Sequence, residues 1–135
     1  MPFTRVTIPA GTPAELKGAI ARAIHQAMVE EIGIPEDDFF QLLGEYQPGD
    51  FFFDPGFLGV QRSDRLVVVQ ITLRRGRSDA MKQALYARIA TNLGEAAGIR
   101  PQDVFVYLSE NDFSDWSVGN GRMSMQVVQQ HEIRA

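Results

Sequence analysis

The sequence predicts an α/β (α+β) domain built from a tandem βαβ repeat, a four-stranded mixed sheet with two helices on one face. Two observations support this: each of two short apolar strands precedes a segment with helical apolar spacing, and each such segment ends at a glycine that leads into isoleucine. These glycines, Gly33 and Gly98, lie 65 positions apart. Because a strand, a crossover helix and a parallel strand form a compact right-handed unit, residues 1–135 are expected to form one domain with halves at about 2–44 and 66–108.

The first half begins with Phe3–Ile8, whose alternation predicts a strand. Thr12 is the expected helix cap, Pro13 suits the first helical position, and Glu15 would complete a capping box. Gly33 is placed to end this helix in a left-handed conformation. The expected apolar stripe consists of Leu16, Ala19, Ile20, Ala23, Ile24, Ala27 and Met28.

The second half repeats this order. The valine-rich run Leu66–Leu73 predicts a strand, Ser78 a helix cap, and Gly98 the helix end. The stripe of this second helix consists of Met81, Leu85, Ile89, Leu93 and Ala97. If the two units run antiparallel, the start of the first strand lies near the end of the third.

The remaining segments read as turns. Glu45–Arg65 is rich in glycine and proline and is expected to form a connection with one short strand at most. Gly119-Asn120-Gly121 predicts a hairpin turn in the C-terminal tail, followed by an apolar segment through Val128.

Composition excludes several classes of function. The net charge is −4 and the basic residues are dispersed except at Arg74, Arg75 and Arg77, so there is no cationic stripe for nucleic acid. With no cysteine, disulfides and thiolate chemistry are absent. His25 and His131 are poorly placed for a metal site, and no metal or cofactor is expected. No membrane span or signal peptide is recognisable, which predicts a soluble, cytoplasmic protein.

Pro2 directly follows the initiator methionine. Methionine before a small residue is usually removed, which would leave Pro2 as a free secondary amine. Such an amine can act as an acid, a base or a nucleophile.

An arginine pair is predicted to bind an anion. Arg75 and Arg77 lie between a strand and the helix capped by Ser78, where backbone amides and the positive helix end converge. Spacing of two in an extended segment would place them on one side, with Arg74 opposite. Guanidinium groups bind carboxylates in a bidentate manner, which favours a small carboxylic acid. The alternative is a solvated basic turn.

Asp38 differs from its expected repeat partner. If one inserted residue is allowed, Asp38 aligns with Val104 in the second half, so packing of the repeat would not require this carboxylate. The alternative is a carboxylate at a strand edge facing water. Asp37 is adjacent, and strand alternation would put the two on opposite sheet faces, so either could be the site carboxylate.

Together these features resemble the tautomerase superfamily, and within it the malonate semialdehyde decarboxylase group. The resemblance spans Pro2 to about Met125. It is carried by Pro2, by the segment Pro35–Gln41, by Arg75-Gly76-Arg77-Ser78, and by Asp115–Gly121. At Val118 and Met125 the sequence departs from the bulkier aromatic residues expected of the decarboxylase, which leaves the substrate open.

The resemblance implies specific roles. Pro2 would be the catalytic acid or base, Arg75 and Arg77 would bind substrate oxygens, Asp38 would tune the amine or position water, and Trp116 would form an apolar wall. It also implies a homotrimer acting on a small 3-oxo or 2-keto acid.

The protonation state of Pro2 selects the reaction. A neutral amine would transfer protons as a tautomerase does, whereas a protonated one would assist decarboxylation or hydration, and an imine to the substrate is a third route. Arginines lower the pKa of the amine and a carboxylate raises it; Asp38 tips the expectation toward the acid. A second hypothesis is an oligomeric binding or signalling module with incidental tautomerase activity.

Overall fold

The computed structural model describes residues 1–124. Within them the strands are β1 (Phe3–Pro9), β2 (Gln41–Tyr46), β3 (Val67–Arg74) and β4 (Val104–Asn111), and the helices are α1 (Ala14–Ile32) and α2 (Asp79–Ala97). The apolar segment through Val128 and His131 lie outside the described residues.

The four strands form one mixed sheet in the order β2-β1-β3-β4. β1 pairs parallel with β2, β3 pairs parallel with β4, and the two units meet where β1 and β3 run antiparallel. The predicted tandem βαβ fold is therefore confirmed. The central pairing brings Phe3 opposite Thr72, so the start of the chain lies beside the end of β3.

Both helices pack on the same face of the sheet and enclose the core. Alternation along β3 places Val67, Val69, Ile71 and Leu73 under the helices, while α1 and α2 supply the opposing layer. The fully buried members of this core include Val6, Ile8, Ile24, Val69, Ile71, Leu85, Ile89 and Leu93. The opposite face of the sheet has no helical cover within residues 1–124, and it exposes Leu42, Phe105 and Tyr107.

The helix ends follow the expected residues with one exception. Ser78 caps α2 by accepting a hydrogen bond from the Met81 amide, and Gly33 and Gly98 end their helices in the left-handed conformation. The predicted Thr12 cap is wrong. Pro13 occupies the cap position of α1 without a side-chain hydrogen bond, because the Thr12 hydroxyl donates instead to the Pro9 carbonyl at 2.7 Å.

The two halves superpose with a constant shift of 65 positions. The helices begin at residues 14 and 79 and end at 32 and 97, while β1 and β3 end at 9 and 74 and β2 and β4 end at 46 and 111. No inserted residue is needed. The alignment of Asp38 with Val104 is therefore wrong, because the constant shift pairs Asp38 with Asp103.

The connection between the halves contains a short 3₁₀ helix, Phe57–Gly59, and no strand after β2 ends at Tyr46. In the tail, Asn120 and Gly121 both have positive φ, and the Arg122 amide donates to the Gly119 carbonyl at 3.3 Å. This is a tight turn of the kind found in hairpins, but no strand flanks it within residues 1–124. Among residues 1–124, no helix combines the length and apolarity needed to cross a membrane.

Candidate active site

The topology places Pro2 at the edge where β1 begins and β3 ends. Pro2 is buried, and the residue after it already pairs with Thr72 of β3. Three segments meet around it: the loop before β2, which carries Asp38; the end of β3; and the loop that leads to α2, which carries Arg77. The antiparallel arrangement of two similarly folded units produces this meeting.

Asp38 lies in the loop between α1 and β2 and not in a strand. The expectation that Asp37 and Asp38 alternate across a sheet is therefore wrong, although the two do differ in burial. Asp37 is exposed, whereas the Asp38 side chain is 12% exposed and its Oδ2 lies 3.8 Å from the Met1 nitrogen. Burial raises the pKa of Asp38, while the terminal ammonium and His25 oppose that rise.

The charged amine in the structure belongs to Met1. Pro2 is consequently an amide here, and the Met1 nitrogen lies one residue ahead of the amine that removal of methionine would expose. Burial lowers the pKa of the Met1 amine; Asp38 opposes this, and Arg77 and Arg74 add to it by like-charge repulsion. On balance, the pKa of the Met1 amine is lowered.

Arg77 faces the same space. Its side chain is half-buried and anchored by a hydrogen bond from Nη1 to the Arg74 carbonyl at 2.9 Å. Burial lowers the pKa of Arg77, as does the Arg74 charge, while Glu110 and Asp38 oppose the change. Arg74 itself stacks on the Phe113 ring at 4.6 Å.

Arg75 is directed differently from the sequence prediction. Its Nε donates to Asp112 Oδ1 at 3.1 Å, and its side chain is 59% exposed. Arg74, expected on the opposite side, is instead the second arginine whose charge acts on the terminal amine. The extended spacing fails because β3 ends at Arg74 and the chain then turns through Gly76, whose φ is 126°.

His25 belongs to this neighbourhood, although its sequence position suggested only a boundary residue. It is 8% exposed, its Nε2 donates to the Glu36 carbonyl at 2.8 Å, and its ring packs edge-on against Phe39. It thereby fixes the loop that carries Asp38. Within residues 1–124, the buried side-chain atoms without a hydrogen-bond partner are His25 Nδ1, Asp38 Oδ1 and Gln41 Oε1. Asp38 lies in this loop, Gln41 lies where the loop meets β2, and His25 contacts the loop from the middle of α1.

Trp116 lies further along the chain, after β4. Its indole nitrogen donates to Asn111 Oδ1 at 2.7 Å, and its carbonyl accepts from the Ser124 amide. Asn111 pairs with Arg74 in the sheet, so the indole is tied to the strand end that borders the terminus. Val118 is exposed, and Met125 lies outside the described residues. No group of three potential metal ligands is assembled in residues 1–124.

This arrangement of a buried Pro2 and neighbouring arginines on a tandem βαβ fold agrees with the comparisons. Two models described as tautomerase enzyme match residues 38–119 and 2–61. The chain belongs to the tautomerase family.

Individual relatives show which proteins of this family the chain resembles. The chain is 42% identical over 125 residues to the probable tautomerase YusQ of Bacillus subtilis (strain 168), covering 93% of this chain and 98% of that one. A solved malonate semialdehyde decarboxylase inhibited by 3-bromopropiolate is 33% identical with a TM-score of 0.87, covering 94% and 96% of the two chains. A fused 4-OT solved as a symmetric trimer is 26% identical with a TM-score of 0.77, covering 93% and 98%.

Proposed function

We propose that this protein is an amino-terminal-proline lyase or isomerase that acts on a small 3-oxo or 2-keto carboxylic acid, in the manner of malonate semialdehyde decarboxylase. One observation carries the proposal. The chain terminus is partly buried next to a carboxylate and a half-buried guanidinium, Asp38 and Arg77. A terminus placed only for structural reasons has no need of two ionisable partners taken out of water.

The roles follow from charge and position. Removal of Met1 exposes the Pro2 nitrogen as a secondary amine. Arg77 and Arg74 pair with the substrate carboxylate. Arg74 thus takes the role that the sequence predicted for Arg75. Asp38 exchanges protons with the amine or holds a water beside it.

For a 3-oxo acid, the neutral amine adds to the aldehyde carbon, and loss of water gives an iminium ion. The carboxylate then leaves as carbon dioxide, and the electrons of the broken carbon–carbon bond move toward the iminium nitrogen. Protonation of the carbon that carried the carboxylate, followed by addition of water to the iminium carbon, releases the product aldehyde and restores Pro2. In the other route, protonated Pro2 polarises the aldehyde oxygen without a covalent bond, so the protonation state of the Pro2 amine decides between the two routes.

The second candidate is keto–enol tautomerisation of a 2-keto acid. The similarity to YusQ, a probable tautomerase, supports it. Pro2 would take a proton from the enol oxygen and return it to carbon, with Arg77 stabilising the enolate charge.

A substrate panel tests the proposal. Protein trimmed to Pro2 is assayed with malonate semialdehyde, phenylenolpyruvate and 2-oxo-3-pentynoate, beside Pro2→Ala and Arg77→Ala. Turnover of at least one acid, lost in both variants while the oligomer persists, is the expected result. Unchanged turnover in both variants overturns the proposal, and absence of turnover throughout leaves the binding-module hypothesis in its place.

We also propose a homotrimer assembled through the face of the sheet that carries no helices. Its exposed apolar side chains, among them Leu42, Phe105 and Tyr107, form a surface that association would remove from water. The symmetric trimer of the fused 4-OT relative supports this stoichiometry.

A further inference from the structure

A second cavity lies at the end of the sheet opposite Pro2. Its volume is about 260 Å³, and it opens between the start of α1 and the end of α2. Its floor is apolar and is formed by Ile8, Leu16, Ile20, Val67, Ala97 and Ile99. Polar side chains of Thr12, Ser63, Arg65 and Asp103 surround that floor.

This cavity is the internal-repeat counterpart of the Pro2 site. The constant shift of 65 positions carries Pro2 onto Val67, Asp38 onto Asp103, and Arg77 onto Thr12. All three counterparts line the second cavity. The positions that surround Pro2 in the first βαβ unit therefore recur around Val67 in the second.

The second cavity also has a carboxylate, Asp103, but this carboxylate already has hydrogen-bond and ion-pair partners. Asp103 is 3% exposed, accepts hydrogen bonds from the Ser63 amide and hydroxyl at 2.7 Å each, and lies 3.6 Å from Arg100 Nη1. At the Pro2 site the corresponding cation is the chain terminus. In the second cavity the chain runs on through Val67, so there is no amine to act as base or nucleophile.

The second cavity also has a cation that can pair with an anionic ligand. Arg65 lies at the mouth of the cavity two residues before Val67, and no salt bridge within residues 1–124 engages its guanidinium. Asp64 is a neighbouring opposing charge at the same mouth. An apolar floor beneath a guanidinium suits a ligand with an apolar body and one carboxylate.

We infer that this cavity is a second, non-catalytic binding site for a small apolar carboxylic acid, with Arg65 as the counter-ion. The inference does not depend on the reaction proposed for Pro2. Substitutions here should alter ligand binding while leaving turnover at Pro2 unchanged.

The test uses 3-phenylpropanoate and, as an uncharged match, 3-phenylpropanamide. Each is titrated into ¹⁵N-labelled full-length protein carrying Arg77→Gln, which weakens carboxylate binding at the Pro2 site. We expect 3-phenylpropanoate to produce saturable shifts of the Gly98 and Ile99 amides. Adding Arg65→Gln should weaken the acid about fivefold, as for a partly exposed ion pair, without affecting the amide.

Two further variants complete the experiment. Asp64→Asn should tighten binding of the acid, because it removes the opposing charge, and Ala97→Leu should abolish binding of both compounds by filling the floor. The inference is overturned if no saturable shift occurs, if acid and amide bind equally, or if the shifts are confined to Gly33 and Ile34 at the Pro2 site. Preserved turnover in Arg65→Gln without Arg77→Gln confirms that the two sites are separate.

Discussion

At the scale of single residues, Asp37 and Asp38 show how burial separates two chemically identical side chains. Asp37 is exposed, whereas Asp38 is withdrawn from water beside the terminal amine. Because folding raises the pKa of Asp38, the folded protein holds that proton more tightly than the unfolded chain. The stability from this group is present below the unfolded pKa and is lost as pH rises through the folded pKa.

Asp38→Asn should therefore raise the melting temperature at pH 7, where the wild-type carboxylate is buried and charged, and the gain should shrink as pH falls through the raised pKa that Asp38 has in the folded protein. Thermal unfolding across this pH range measures it. Asp37→Asn is the control and should change little at any pH. A stabilisation of equal size in both variants would show that Asp38 has no special environment.

The arginines give a matched pair for activity. Arg77→Gln should lower kcat/KM for the oxo acid by about a hundredfold, the usual cost of one donor to a developing oxyanion. Arg75→Gln removes only an exposed pair with Asp112 and should change kcat/KM by less than about threefold. Steady-state kinetics of the two variants decide the assignment, and a larger loss for Arg75→Gln would restore the sequence prediction.

The sequence led to Pro2, Asp38 and Arg77 because their positions follow from the repeat and from the antiparallel meeting of its halves. It did not lead to Arg74 or His25. The direction of Arg74 depends on where β3 ends, and the role of His25 depends on the loop that it contacts through Glu36. Neither is encoded in a local motif.

At the scale of elements, the two helices are specified mainly by their ends and apolar stripes. Gly98 has φ 66°, and a Cβ placed there meets no atom within 4 Å. The cost of a side chain at Gly98 is therefore one of backbone conformation alone.

Gly98→Ala should lower the free energy of unfolding by about 1 kcal/mol. Gly49→Ala, in an exposed turn without positive φ and equally free of contacts, should have no such cost. Chemical denaturation of both variants measures the difference. Equal effects would mean that the left-handed end of α2 contributes nothing to stability.

The repeat itself was visible in the sequence, and the fold followed from it. The insertion was assumed after the helix-ending glycines, where Gly33–Phe39 was aligned with Gly98–Phe105. In the structure the shift is 65 positions both before and after that segment. This one unneeded insertion was enough to misalign Asp38 and to hide its partner Asp103.

At the scale of the whole molecule, the face of the sheet without helices is the proposed trimer interface. Phe105 is 45% exposed on that face, whereas Tyr86 is 37% exposed on α2. Similar aromatic exposure on opposite faces allows a matched test.

Phe105→Glu should shift the protein from trimer toward monomer, because it places a charge in the proposed interface. Tyr86→Glu should leave the mass unchanged. Light scattering after size-exclusion chromatography measures the mass of both variants. A trimer that survives Phe105→Glu but not Tyr86→Glu would place the interface on the helical side.

The central claim is that a trimmed Pro2 amine, buried beside Asp38 and Arg77, carries out the chemistry. The most direct measurement treats the protein with 3-bromopropiolate and identifies the modified peptide by mass spectrometry. The account predicts one adduct per chain on a peptide that begins at Pro2, formed much more slowly in Arg77→Gln than in Arg75→Gln. Modification confined to another peptide, or full activity in protein that retains Met1, would contradict it.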